Sequence, residues 1–170
     1  MGNFIVACRR CRVSYNRATD LRVRLASCAP YSQIHSRGDS AKRMFDLVAD
    51  VPAYPHFMPW CGGASAQTLD DGMVRAKIDI HFGTVQSAFT TLNRHVPYKR
   101  IDMEFVDGPF NALTGCWDFS PLTADACKVE FVLDYEFASG LMGRVIAPVF
   151  DVIAASFVDA FSTRAEALYA

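Results

Sequence analysis

Between Met73 and Phe137, apolar or small residues recur at every second position, and polar or charged residues fill the places between them. The first segment reads Val74, Ala76, Ile78, Ile80 and Phe82, and a later one Ile101, Met103 and Phe105. The pattern continues with Leu113, Gly115, Trp117 and Phe119, then with Cys127, Val129, Phe131, Leu133, Tyr135 and Phe137. A period of two sends successive side chains to opposite faces of a strand, so each segment is a strand with one buried and one wet face. The segment Val85 to His95 alternates less cleanly, through Val85, Ser87, Phe89 and Thr91. An apolar sheet face of this size has to be covered.

Short links separate these strands. Asp70-Asp71-Gly72, Gly83-Thr84 and Asp107-Gly108-Pro109 have the composition of tight turns. Links this short force an antiparallel sheet, because a parallel crossover needs a dozen or more residues. Ahead of the sheet, Tyr31 to Arg37 is a weak candidate for a first strand. Asp39 and Ser40 are candidate N-caps for a helix from Ala41 to Ala49, with Met44, Phe45 and Val48 at helical spacing. Pro52, Pro55 and Pro59 then exclude any long helix.

Only the C-terminal segment is long enough to cover the sheet. Leu141, Val145, Val149, Phe150, Ile153, Phe157, Phe161 and Leu168 recur at three-to-four spacing. Such a helix of roughly 28 residues spans about 42 Å. Pro148 is expected to kink it near Arg144. Between a curved sheet and one helix there is either a cavity or a fully packed core, and both give the same alternation.

At 170 residues the chain supports one core. It contains no apolar run of the roughly 20 residues needed to span a membrane, which points to a soluble or peripheral protein. Charge divides it. Residues 1–30 hold six arginines (9, 10, 12, 17, 22 and 24) against Asp20, a net of +5, and the remainder is −6. Residues 1–30 are therefore read as a basic extension, disordered or upstream of the true start, with a mitochondrial targeting segment as the alternative. The domain proper is residues 31–170. Cys8 and Cys11 form a lone C-x-x-C without a second pair, which is not a zinc set, and the six cysteines are read as reduced thiols in an intracellular protein.

Several spaced motifs carry a family resemblance. They are Tyr54-Pro55-His56-Phe57-Met58-Pro59-Trp60-Cys61, then Asp107-Gly108-Pro109-Phe110 with Leu113, Gly115, Trp117, Phe119 and Pro121. The tail adds Pro148-Val149-Phe150, Val158-Asp159-Ala160-Phe161 and Arg164-Ala165. Together, from about Tyr31 to Tyr169, these resemble the coenzyme-Q-binding START-domain family, in its RatA and oligoketide-cyclase-like branch. The resemblance implies an α+β helix-grip fold: a curved antiparallel seven-stranded sheet wrapped around a long C-terminal helix. It also implies a choice of functions: quinone binding in support of respiration, a toxin that binds the large ribosomal subunit and blocks subunit joining, or a polyketide cyclase or dehydrase.

The residues themselves favour binding over catalysis. Arg75, Lys77, Asp79, His81, Asp102, Glu104, Asp118, Glu130, Asp134 and Glu136 all fall on the outer face, leaving the inner face with Tyr135 and Cys127 and little else. No nucleophile elbow, metal-binding helix motif or phosphate loop is present, and no cofactor is required. The leading expectation is therefore a non-enzymatic carrier for a polyprenyl quinone, lined by Phe82, Phe105, Trp117, Phe119, Phe131, Val149, Phe150, Ile153 and Phe157. Tyr135 is expected to donate its hydroxyl to a quinone carbonyl. Tyr54, Phe57, Met58 and Trp60 form either a lip touching the membrane or a plug on the sheet edge. Ribosome binding is the second expectation, with Arg94, Lys99, Arg100 and His95 around one turn and Lys42 and Arg43 on the first helix; DNA is not an expected partner. The expected location is cytoplasmic, with peripheral contact at the inner membrane, or mitochondrial if the basic head is a targeting segment.

Overall fold

The computed structural model describes residues 22–28, 32–33, 40–123, 126–138 and 141–169. Six consecutive antiparallel strands form most of the sheet. They are β3 (Cys61–Thr68), β4 (Val74–Phe82), β5 (Val85–Val96), β6 (Arg100–Asp107), β7 (Phe110–Thr123) and β8 (Ala126–Phe137), each paired with the next. The free edge of β8 takes two N-terminal pieces, β1 (Arg22–Cys28) and β2 (Ser32–Gln33). That makes eight strands where seven are expected. The single strand anticipated over Tyr31 to Arg37 is described only as the two-residue β2. Its neighbour β1 comes from the segment assigned to the basic extension. The rest of that head up to residue 21, including Cys8 and Cys11, lies outside the described residues, as does Asp39.

Turn chemistry sets the meander. Gly72 (φ 80°) and Gly83 (φ 59°) adopt the left-handed backbone at the first two hairpin turns, which glycine reaches without strain. Gly108 has φ 141° and sits so close to Phe89 that an added Cβ would lie 2.8 Å from the Phe89 Cβ. Curvature comes from register shifts between Cys61 and Gly63, Thr90 and Thr91, Phe110 and Ala112, and Pro121 and Thr123. Extra residues of this kind bend a strand and sharpen its twist, so the long strands wrap rather than lie flat.

Helix α1 (Ser40–Ala49) closes one end, burying Met44, Phe45, Leu47 and Val48. A 3-10 helix over Val51–His56 follows, its form permitted by Pro52 near its start and Pro55 within it. Helix α2 (Leu141–Tyr169) crosses the concave face and runs unbroken through position 148. It buries Ile146, Phe150, Ile153, Phe157, Phe161 and Ala165 against the sheet. Each large side chain among them contributes roughly 1.5–3 kcal/mol on leaving water.

Candidate functional site

The space between sheet and α2 is almost filled by aromatic rings. At one end Phe110, Tyr135, Phe137 and Phe150 meet, with Phe110 and Phe150 centroids 4.9 Å apart. At the other, Trp117 stacks on Phe131 at 4.2 Å and meets Phe161 edge-on at 5.1 Å. Between them a cavity of about 40 Å³ remains, lined by Tyr54, Ile78, Phe89, Met103, Leu113, Trp117, Phe131, Leu133, Phe150 and Phe157 among others. That volume admits a water-sized group, not a ring with an isoprenoid tail.

Of the expected lining residues, Trp117, Phe131, Phe150 and Phe157 do border this cavity. Phe119 is buried elsewhere, between Phe45 and Trp117, and Ile153 is fully buried in the packing. Phe105 and Val149 are half-buried against the core, Phe105 touching Phe110 edge-on. Phe82 is a correction. It stands beside the β4–β5 turn and is 41% exposed, because the covered part of the concave face ends before the hairpin tip.

Tyr135 is a second correction. Its hydroxyl donates to the carboxylate of Asp151 on α2, so it is occupied in holding the helix to β8 and is not open to a ligand. The proposed lip is the third. Tyr54, Met58 and Trp60 are buried and Phe57 is half-buried. Tyr54 donates to the Val48 carbonyl at 2.6 Å, and Trp60 Nε1 donates to Ser156 Oγ at 3.3 Å. Burial pushes the Tyr54 phenol far above its ordinary range. These side chains plug the end of the core, and a plug cannot touch a bilayer from inside.

Beside Tyr54 and Trp117, two described lining residues carry polar side chains, Thr91 and Asn93, and both come from β5, the strand with the imperfect alternation. Thr91 and Asn93 are buried at 4% and 5% exposure, and Asn93 Oδ1 has no hydrogen-bond partner. Sequence reasoning passed over both. The available signal was the break in the alternation itself, since a polar residue at an inward position of one strand stands out when its neighbours are Phe and Ile.

The convex face carries a larger, open depression of about 440 Å³, lined by Arg94, Arg100, Asp102, Glu104, Cys116 and Asp134 among others. Here Arg100 Nε meets Asp102 at 2.7 Å and its Nη1 meets Asp118 at 2.8 and 2.9 Å, so one guanidinium bridges two carboxylates. Partial burial raises the Cys116 thiol, which makes it a poor nucleophile. Among the described residues no group of three or more His, Cys, Asp or Glu side chains is placed to hold a metal ion.

A curved antiparallel sheet gripping one C-terminal helix over an apolar interior is the helix-grip architecture of START-like domains. Residues 39–162 match the family described as polyketide cyclase / dehydrase and lipid transport, and the chain belongs to it. The ribosome association toxin RatA of Escherichia coli K12 is 40% identical over 130 residues, 76% of this chain and 82% of the relative. The mitochondrial coenzyme Q-binding protein COQ10 homolog B of Xenopus laevis is 31% identical over 143 residues, 82% of this chain and 59% of the relative. An 18 kDa protein of Caulobacter crescentus, solved in solution, is 32% identical with a TM-score of 0.61, covering 86% of this chain and 97% of that one. The Zhui aromatase/cyclase of a Streptomyces species aligns at a TM-score of 0.65 over 85% of this chain and 93% of its own. At 15% identity it shares the fold alone. No described helix is long and apolar enough to cross a membrane.

Proposed function

We propose that this protein binds a lipid with a polar ring, a polyprenyl quinone or its reduced form, between the sheet and α2, without transforming it. The observation that carries this is an apolar, aromatic-lined interior whose described lining includes one unpartnered polar atom, Asn93 Oδ1. Pockets for such ligands are mostly apolar with a few placed polar groups. Among the described lining residues the ionisable side chain is Tyr54, and it is committed to the Val48 carbonyl. An enzyme of the cyclase or dehydrase type needs a group that can take or give a proton at the substrate, and the described lining residues offer no free one. The similarity to the coenzyme Q-binding homologue supports the ligand class.

Because the cavity is small, loading requires α2 to lift from the sheet. Among the described residues, polar ties from α2 to the rest of the fold run from Tyr135 to Asp151 and from Trp60 to Ser156. The contacts beneath it are otherwise aromatic edges, which are non-directional and can re-form around a ligand. Purified protein analysed by native mass spectrometry, followed by organic extraction, is expected to carry a prenylated ring lipid. Protein that carries none and takes none from quinone-loaded liposomes would remove this reading.

A second reading is association with the ribosome, supported by the 40% identity to RatA. The surface that suits it is the β5–β6 turn, where Val96 and Tyr98 are exposed beside Lys99, and Lys42 of α1 lies over the Tyr98 ring at 5.1 Å. Exposed aromatic and basic groups together fit a nucleoprotein surface. Sedimentation of ribosomes with the protein, over a salt series, tests it. Failure to co-sediment at low salt would discard it.

A further inference from the structure

The two directions along β5 from the interior cavity are not equivalent. The cavity holds Asn93, 5% exposed with an unpartnered Oδ1, and Thr91, two residues away on the same face of the strand. Buried polar atoms in native proteins are nearly always paired, because an unmade hydrogen bond leaves the desolvation cost uncompensated. Toward the β5–β6 turn the next inward residue is His95, whose ring meets Phe45 of α1 edge-on at 5.6 Å. Val51 and Tyr54 of the 3-10 helix add to the cavity wall, and α1 closes that end. In the other direction the inward positions of β5 are Phe89, Ser87 and Val85, opposite Ile78, Ile80 and Phe82 of β4. This path ends in the open, since Phe82 is 41% exposed beyond the cover of α2.

We infer that Asn93, with Thr91, seats the oxygen-bearing ring of the bound lipid at the closed end of the interior, and that the tail leaves along β4 and β5 past Phe82. This rests on the lipid-binding reading above and adds the orientation of the ligand. An amide has an oxygen that accepts and a nitrogen that donates, and a half-turn exchanges them. The same side chain therefore pairs a ring carbonyl or a ring hydroxyl, and a redox lipid is held in either form. A ring without oxygen leaves the amide unpaired and is rejected for that reason. The strand from Asn93 to Val85 rises about 26 Å, at roughly 3.3 Å per residue. A tail of several isoprenoid units reaches Phe82 from a ring seated at Asn93, and a single unit does not.

The test uses a benzoquinone with a long isoprenoid tail, its hydroquinone, a benzene ring carrying the same tail but no oxygen, and a benzoquinone with one isoprenoid unit. Each is equilibrated anaerobically with full-length protein in detergent micelles, and bound ligand is measured by equilibrium dialysis and extraction. Wild type is expected to hold the two long-tailed redox forms alike, and both at least about tenfold more tightly than the oxygen-free ring. Asn93→Leu is expected to lose this preference while melting at or above the wild-type temperature, which shows that its fold is intact. Phe82→Asp is expected to weaken the long-tailed quinone several-fold more than the short-tailed one. Wild type that binds the oxygen-free ring as tightly as the quinone would overturn the anchor, with water satisfying the amide, and would leave lipid binding in place. Retention of the preference in Asn93→Leu would overturn the role of this residue. Equal effects of Phe82→Asp on both tail lengths, or none on either, would overturn the orientation. Binding of no compound by wild type would remove lipid binding and this inference together.

Discussion

The hydroxyl of Tyr135 on β8 donates a hydrogen bond to the carboxylate of Asp151 on α2. The Phe150 ring packs edge-on against the same tyrosine, with centroids 4.9 Å apart. A directional polar tie and a non-directional aromatic contact therefore hold the middle of the helix at one point. The tie fixes which turn of α2 faces β8, and the ring contacts supply most of the attraction.

Removing the tie should loosen the helix without abolishing the fold. Tyr135→Phe is expected to lower stability by about 1–2 kcal/mol, as for a hydrogen bond to a partly exposed charged group. Asp151→Asn keeps an acceptor oxygen and should cost less than Asp151→Ala. Urea denaturation gives the stability change. Hydrogen exchange should show faster opening of α2 in Tyr135→Phe while β4 and β5 keep their protection, and equal loss across all elements would contradict a local role for the tie.

Asn93→Leu should move stability the other way. Replacing an unpartnered buried amide with an apolar side chain of similar volume removes a desolvation cost of about 1–3 kcal/mol. Some of this gain is lost to imperfect packing, so a net rise of about 1 kcal/mol is expected in thermal or chemical denaturation. A drop of that size would mean that the amide has a structural partner.

Trp60 stabilises the core. It meets Phe157 edge-on at 5.1 Å and donates to Ser156 Oγ, so Trp60→Ala should cost about 3–5 kcal/mol through the cavity it leaves. Liposome flotation of folded Trp60→Phe should match wild type. A clear loss of flotation in that variant would restore the membrane lip.

His95 gives a pH dependence with a definite sign. Burial against Phe45, whose ring lies 5.6 Å away, holds its pKa below the ordinary 6.5. The unfolded chain therefore binds this proton more readily than the folded one. Its contribution is fully present above pH 6.5 and is lost as pH falls from there through the depressed folded value. His95→Gln should remove this component, so the stability difference between wild type and variant should narrow on acidification below pH 6.5. A difference that stays constant from pH 8 to pH 5 would contradict it.

Strand identity was legible because alternation is local: Val74 to Phe82 and Cys127 to Phe137 assign their own inward faces without reference to any partner. The turns at Gly72, Gly83 and Gly108 were legible for the same reason, since each needs a backbone conformation that few residues reach. Phe82 was misread because periodicity says which way a side chain points and not how far the cover extends. Tyr54, Met58 and Trp60 stayed undecided between lip and plug because their composition fits either a membrane surface or a plug. Their fate is decided by Ser156, Phe157 and Phe161, which arrive from a helix far along the chain.

The sequence by itself determined an antiparallel meander with one apolar face, a long helix to cover it, and ionisable groups segregated to the outside. Only the tertiary structure decided that the two apolar surfaces meet almost without a gap, that Tyr135 is spent on Asp151, and that Asn93 is left without a partner. The physical reason lies in what each property depends on. A face belongs to one strand and follows from the spacing of its residues. A void, or an unpaired atom within it, is the small remainder after side chains from several distant segments have been fitted together, and no single segment encodes it.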